Sequence, residues 1–243
     1  MKIKYKILAP FYRKKSKIEC HQVLLKSNSY YKNLSEDHKA NFQLRTLLFI
    51  STTNFSSEPD FIINKKMKII ISSAFVQITF GLKTDTLNKF NDVFVAPSSY
   101  SYKNNTAVFK GDVNIATKKV NMSWPAIEKG FKITDDALNL SIHEFGHCLI
   151  FENHTRSYFS KIFNKGDFEN WKNHAKTKFQ KVKAKENIVL RDYAATNLVE
   201  FFSVSLETFF EQAAYFKENE PELYESMTQL LKQDPINKKN PIL

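Results

Sequence analysis

The pentapeptide His143-Glu144-Phe145-Gly146-His147 sets two imidazoles four residues apart with a carboxylate beside the first. On an α-helix such residues share a face, with Cβ atoms about 5–6 Å apart, so both rings reach one ion. Zinc suits that donor pair. A catalytic zinc takes three protein ligands and leaves a position for water, which Glu144 stands ready to deprotonate as general base. With 6 His and 15 Glu in 243 residues, chance predicts only about 0.01 occurrences of the pattern. Gly146 is one of five glycines and costs a helix interior about 0.5–1 kcal/mol relative to Ala. Close approach of a strand or a substrate is expected at that point.

A third ligand is expected from Glu200, which lies between Val199 and Phe201 in an apolar run. A carboxylate in such surroundings needs a partner, and a metal ion would be one. Glu207 and Glu211 follow at i+7 and i+11 and either orient the ligands or form a solvated stripe. Tyr193 lies seven residues before Glu200, about two turns if one helix spans both. A phenol there would steady the oxyanion that forms at a carbonyl under attack.

Several elements must position these groups. Leu34 to Phe55 reads as an amphipathic helix that Ser35 or Asp37 caps, whereas the apolar run Met67 to Phe80 fits a buried helix or a strand equally. Asp92 to Ala96, stopped by Pro97, reads as a strand. Ala107–Phe109 and Val113–Ile115 are expected to pair with Val120–Met122 through Thr117-Lys118-Lys119. Thr134, followed by Asp135 and Asp136, reads as the N-cap of the motif helix, and helices then continue to Lys232. Strands in one block and helices in others imply an α+β fold.

Composition limits the alternatives. The chain is 42% hydrophobic with 22 Phe and 10 Tyr, enough for a substantial core and against disorder. No linker or repeat divides it, so one domain over residues 1–243 is expected. No apolar run approaches the roughly 18–20 residues of a membrane span, and Ile7-Leu8-Ala9 is too short for an export signal. Two distant cysteines, Cys20 and Cys148, fit free thiols in the cytoplasm. On a helix Cys148 points away from the metal face, and His154 is expected at the surface. The net charge is +11, yet residues 1–130 carry +12 and residues 131–243 carry −1. The excess is densest in residues 1–20, a tail-like cluster with seven bases, and a second basic stretch, Lys161 to Lys185, reads as a solvated face. No helix-turn-helix, Cys/His finger or aromatic-basic sheet accompanies these bases, so specific nucleic-acid binding is not expected.

The chain resembles the Mlc titration factor A family of zinc-dependent peptidases, a bacterial cytoplasmic group of zincin fold whose metal site is similar to that of anthrax lethal factor. The resemblance runs in order through Asn41–Ile50, Val113–Trp124 with its Ser123-Trp124 end, His143–His147, Glu200–Glu211, and Pro221–Tyr224 with Asp234-Pro235. Gly146 stands where the family usually has Ala, and Cys148–His154 departs from the family's usual continuation. The resemblance implies His143, His147 and Glu200 as zinc ligands, Glu144 as general base and Tyr193 as the transition-state hydroxyl. It also implies aminopeptidase-like action on a peptide or protein substrate. Such a substrate is expected to lie extended and add to an edge strand of the Val113–Met122 region. Binding of a transcriptional repressor of sugar uptake is a second implied role.

Overall fold

The computed structural model describes residue 10 and residues 12–103, 106–157, 160–186 and 188–243. Among them ten α-helices and four strands form an α+β fold that is mostly helical. In chain order these are α1 (Lys14–Ser27), α2 (Ser29–Asn33), α3 (Glu36–Thr52), β1 (Asn54–Ser57), α4 (Lys65–Thr79), β2 (Asp92–Ala96), β3 (Gly111–Asn114) and β4 (Lys119–Ser123). There follow α5 (Trp124–Lys132), α6 (Leu140–Thr155), α7 (Lys165–Lys183), a 3₁₀ turn (Asp192–Ala195), α8 (Leu198–Glu211), α9 (Ala213–Asn219) and α10 (Pro221–Leu231). The strands make one mixed sheet in the order β1-β2-β4-β3. The first three are parallel, while β3 returns antiparallel to β4 with Val113 opposite Val120, which leaves β3 at an edge.

The ambiguous run 67–80 is helical. The Asn64 carboxamide caps α4 by accepting from the Met67 amide at 3.0 Å. Apolar residues lie all round this helix because it divides two cores. Ile70, Ile71, Phe75 and Ile78 face a cluster shared with the sheet, α6, α8 and α10. Ile69, Val76 and Phe80 face a smaller cluster with Cys20, Leu24, Tyr31 and Phe42 from the first three helices. A helix apolar on every side must be covered on every side.

Three expectations need correction. The motif helix starts at Leu140, not after Thr134, because Ala137 takes a left-handed φ of 53° that interrupts any helix begun earlier. Asn139 is the cap instead, accepting from the Ile142 amide at 3.2 Å. Ala107–Phe109 forms no strand: only Phe109 bridges to Tyr100, and the hairpin arm starts at Gly111. The stretch from Lys161 to Lys185 is not merely solvated, since α7 buries Trp171, Ala175 and Val182, and its Lys178 turns inward to pair with Glu220. Part of the expected basic tail is ordered helix, from Lys14 onward; Lys2, Lys4 and Lys6 lie outside the described residues. Both cysteines are free and buried; burial, chiefly, pushes the Cys20 thiol up to about 12.

Arg45 joins α3 to the end of α4. Its guanidinium pairs with Asp85 at 2.9 Å and donates to the carbonyls of Phe80, Thr79 and Thr84 at 2.7–2.8 Å, with both ionic side chains almost wholly buried. Further on, Gln233 donates to the Gln77 carbonyl at 3.1 Å and accepts from the Tyr30 hydroxyl at 2.6 Å, fastening the segment after α10 onto α4 and α2. Removing one partner of a buried ion pair strands the other. Arg45→Ala is therefore expected to lower stability by about 3–5 kcal/mol in denaturant unfolding.

Candidate metal centre

The α6 and α8 helices pack side by side, and the site lies between them. Asn197 caps α8, accepting from the amides of Val199 and Glu200 at 2.8 and 3.0 Å. This places Glu200 in the first helical turn, where the dipole favours a carboxylate. Its Oε2 faces Nε2 of His143 at 2.9 Å and Nε2 of His147 at 3.3 Å. One donor atom from each of the three residues lies within 4.8 Å of the others, a spacing that can hold a metal ion.

Gly146 explains the closeness of the two helices. A Cβ there would stand 2.8 Å from Ser203 Oγ and 2.9 Å from Leu206 Cδ1. The partner requiring the missing side chain is thus helix α8, rather than a strand or a substrate. Ser203 uses the space. Its hydroxyl donates to the His143 carbonyl at 2.9 Å, so it meets His147 Nδ1 at 3.1 Å as an acceptor. With Nδ1 carrying the proton, His147 keeps its Nε2 lone pair for the centre of the site.

His143 is oriented in a similar way. Its Nδ1 lies 3.4 Å from Glu207 Oε2, and the same oxygen accepts a charge-assisted hydrogen bond from Arg191. Glu207 is 2% exposed, so the solvated-stripe alternative is overturned at this position. Glu211 too is largely enclosed; it accepts from Asn139 Nδ2 at 3.2 Å, and burial, chiefly, raises it to about 8. Sequence reading missed Ser203 and Arg191. The signal for Ser203 was its i+3 spacing from Glu200, on the same helix face; Arg191 is joined to Glu207 only by tertiary structure.

Charge is concentrated here. Burial opposes a proton on His143, but the hydrogen bonds its ring donates to Glu200 and Glu207, with the charges of Glu207 and Glu144, outweigh it and raise the ring to about 10. Glu200 moves oppositely: burial works to raise it, yet the two histidines bring it down to about 2. Burial also, chiefly, lowers His147. Glu144 projects beside the pair, 3% exposed, and its Oε2 has no hydrogen-bond partner among the described residues. Burial, chiefly, lifts its carboxyl to about 8, with Asp112, Glu200 and Glu207 adding to the rise and His143 opposing it. Strand β3 passes close by: a Cβ on Gly111 would meet Glu144 Oε1 at 2.6 Å.

Tyr193 reaches the site by a route other than the expected one. No helix connects it to Glu200, because Asn197 is extended (φ −165°) and starts α8 afresh, leaving Tyr193 in the separate 3₁₀ turn. That turn packs on α8 and carries the ring to 5.9 Å from the His143 ring, 51% exposed. Burial, chiefly, and the two glutamates raise its pKa, so the hydroxyl keeps its proton. Cys148 is buried on the far side of the motif helix, and His154 is exposed near its end.

An uncharacterized protein of Synechocystis sp., slr2042, is 23% identical over 222 residues, covering 85% of this chain and 81% of its own length. A family model described as glucose-regulated metallo-peptidase M90 matches residues 9–232. Across nearly its whole length, then, the chain belongs to the M90 metallopeptidases, the Mlc titration factor family.

Proposed function

We propose that the protein is a zinc-dependent peptidase of zincin-like fold that acts in aminopeptidase-like fashion on peptides, with His143, His147 and Glu200 as the ligands. The observation that carries this reading is the convergence of three donor atoms within 4.8 Å, two of them imidazole Nε2 atoms whose rings are oriented through Nδ1. The donor set suits zinc, and the unpartnered, buried Glu144 Oε2 beside it suits a group that acts on a water molecule. Zinc in such a site polarises a carbonyl and makes water more acidic. Glu144 takes the proton from the attacking water and delivers it to the leaving amine. Tyr193, exposed and protonated, donates its hydroxyl hydrogen to the developing oxyanion. A substrate backbone lies along the free edge of β3, where Gly111 lets the strand come against Glu144.

A second reading, capture of a transcriptional repressor of sugar uptake, draws support from the family's description as glucose-regulated. The two separate on one variant, because binding survives Glu144→Gln and peptide hydrolysis does not.

Metal analysis of the purified protein tests the ligands: one zinc per chain is expected in the wild type and a loss of it in His143→Ala and in Glu200→Ala. Equal zinc in either variant refutes the assignment. Glu144→Gln is expected to retain zinc while hydrolysis of a peptide library falls about 10²–10⁴-fold, and chelator treatment to abolish wild-type cleavage. Ser203→Ala removes the acceptor at His147 Nδ1, and zinc affinity measured against a competing chelator is expected to drop about 10–100-fold.

A further inference from the structure

We infer that Arg191 is a positioning residue of the metal centre, a clamp that acts through Glu207 to hold the His143 ring and the Tyr193 turn in one arrangement. The inference rests on the metal-centre reading above and adds to it a residue that touches neither the ion nor the substrate.

A single oxygen carries the clamp. Glu207 Oε2 accepts from the Arg191 guanidinium and faces His143 Nδ1 at 3.4 Å, inside a carboxylate that is 2% exposed. Without Arg191, Glu207 would be a buried carboxylate held only by an imidazole N–H, and such a group turns toward water. That turn withdraws the acceptor that fixes the ring through Nδ1 and leaves Nε2 pointing at Glu200. Outer partners of this kind commonly govern ligand orientation in histidine metal sites.

Arg191 is also the residue from which the 3₁₀ turn starts. Its carbonyl accepts from the Ala194 amide at 2.9 Å, and the turn bears Tyr193 two residues on. The same side chain that steadies Glu207 on α8 therefore anchors the backbone that aims the Tyr193 ring at His143. One guanidinium joins a ligand and the oxyanion-facing hydroxyl, which otherwise sit on separate elements.

The sign of one measurement separates this role from a simple charge effect. Deleting a cation near a dication site strengthens metal binding through space, whereas loss of a positioning clamp weakens it. The zinc dissociation constant of the full chain, measured by competition with a chromophoric chelator, is expected to rise about 10–100-fold in Arg191→Ala, with Arg191→Lys intermediate. In a Glu207→Gln background the same Arg191→Ala change is expected to alter affinity by no more than about threefold, because the clamp is already gone. Unchanged or tighter zinc binding in Arg191→Ala overturns the inference, even if its melting temperature falls, since a purely structural role would move only the latter. Arg191→Gln takes its place where the alanine variant does not fold. Zinc retained equally by His143→Ala signals a different failure, that of the metal-centre reading itself.

Discussion

The contact between α6 and α8 governs the geometry of the centre. Where Gly146 meets Ser203, no Cβ separates the two helices, and only at that separation do donors from the first turn of α8 and the middle of α6 come within 4.8 Å of one another. The contact has two effects. It fills space in a core rich in Phe, Leu and Ile, and it places a hydroxyl where it donates to the His143 carbonyl and accepts from His147. Packing and the choice of imidazole tautomer are thus consequences of one missing methyl group.

Around this contact the molecule gathers ionisable groups in its interior. Glu144, Glu200 and Glu207 crowd two histidines and one arginine in a setting where unpaired ions are costly. The opposing shifts of His143 and Glu200 express that tension. Such an arrangement favours occupation by a cation, and it makes the outer partners as consequential as the inner ones. The long-range charge of the protein plays little part. Its basic surplus lies in residues 1–130, whereas the histidines and glutamates of the centre lie in residues 131–243, which carry −1.

Much of the centre was legible because a helix repeats every 3.6 residues: the spacing of His143 and His147 specifies a shared face whatever the tertiary structure. Glu200 was legible for another reason, as a charge in a run of Val and Phe. The early helix 34–55 and the strand 92–96 were likewise readable from pattern, and the structure has them at 36–52 and 92–96. What could not be read depended on conformations that side-chain type does not announce. Ala137 in the left-handed region moved the start of the motif helix, and the extended Asn197 separated Tyr193 from α8. Run 67–80 left helix and strand open because a helix covered on both sides loses the polar face that reveals its period. Arg191 and Glu207 are sixteen residues apart, and their meeting follows only from how the 3₁₀ turn lies on α8.

Gln233 reaches across 156 residues to the end of α4, and the Lys239 carbonyl accepts from the Ser35 amide at the start of α3. These pairings connect parts of the chain that a ribosome releases far apart in time. Closing so long a loop carries an entropic cost that must be met before the contacts reward it, which slows the search for the native topology. A nascent chain that has emerged only as far as α7 has the motif helix but lacks α8, the helix against which Gly146 packs. Such a chain leaves apolar surface uncovered at that face, and transiently exposed surface of this kind is prone to aggregation.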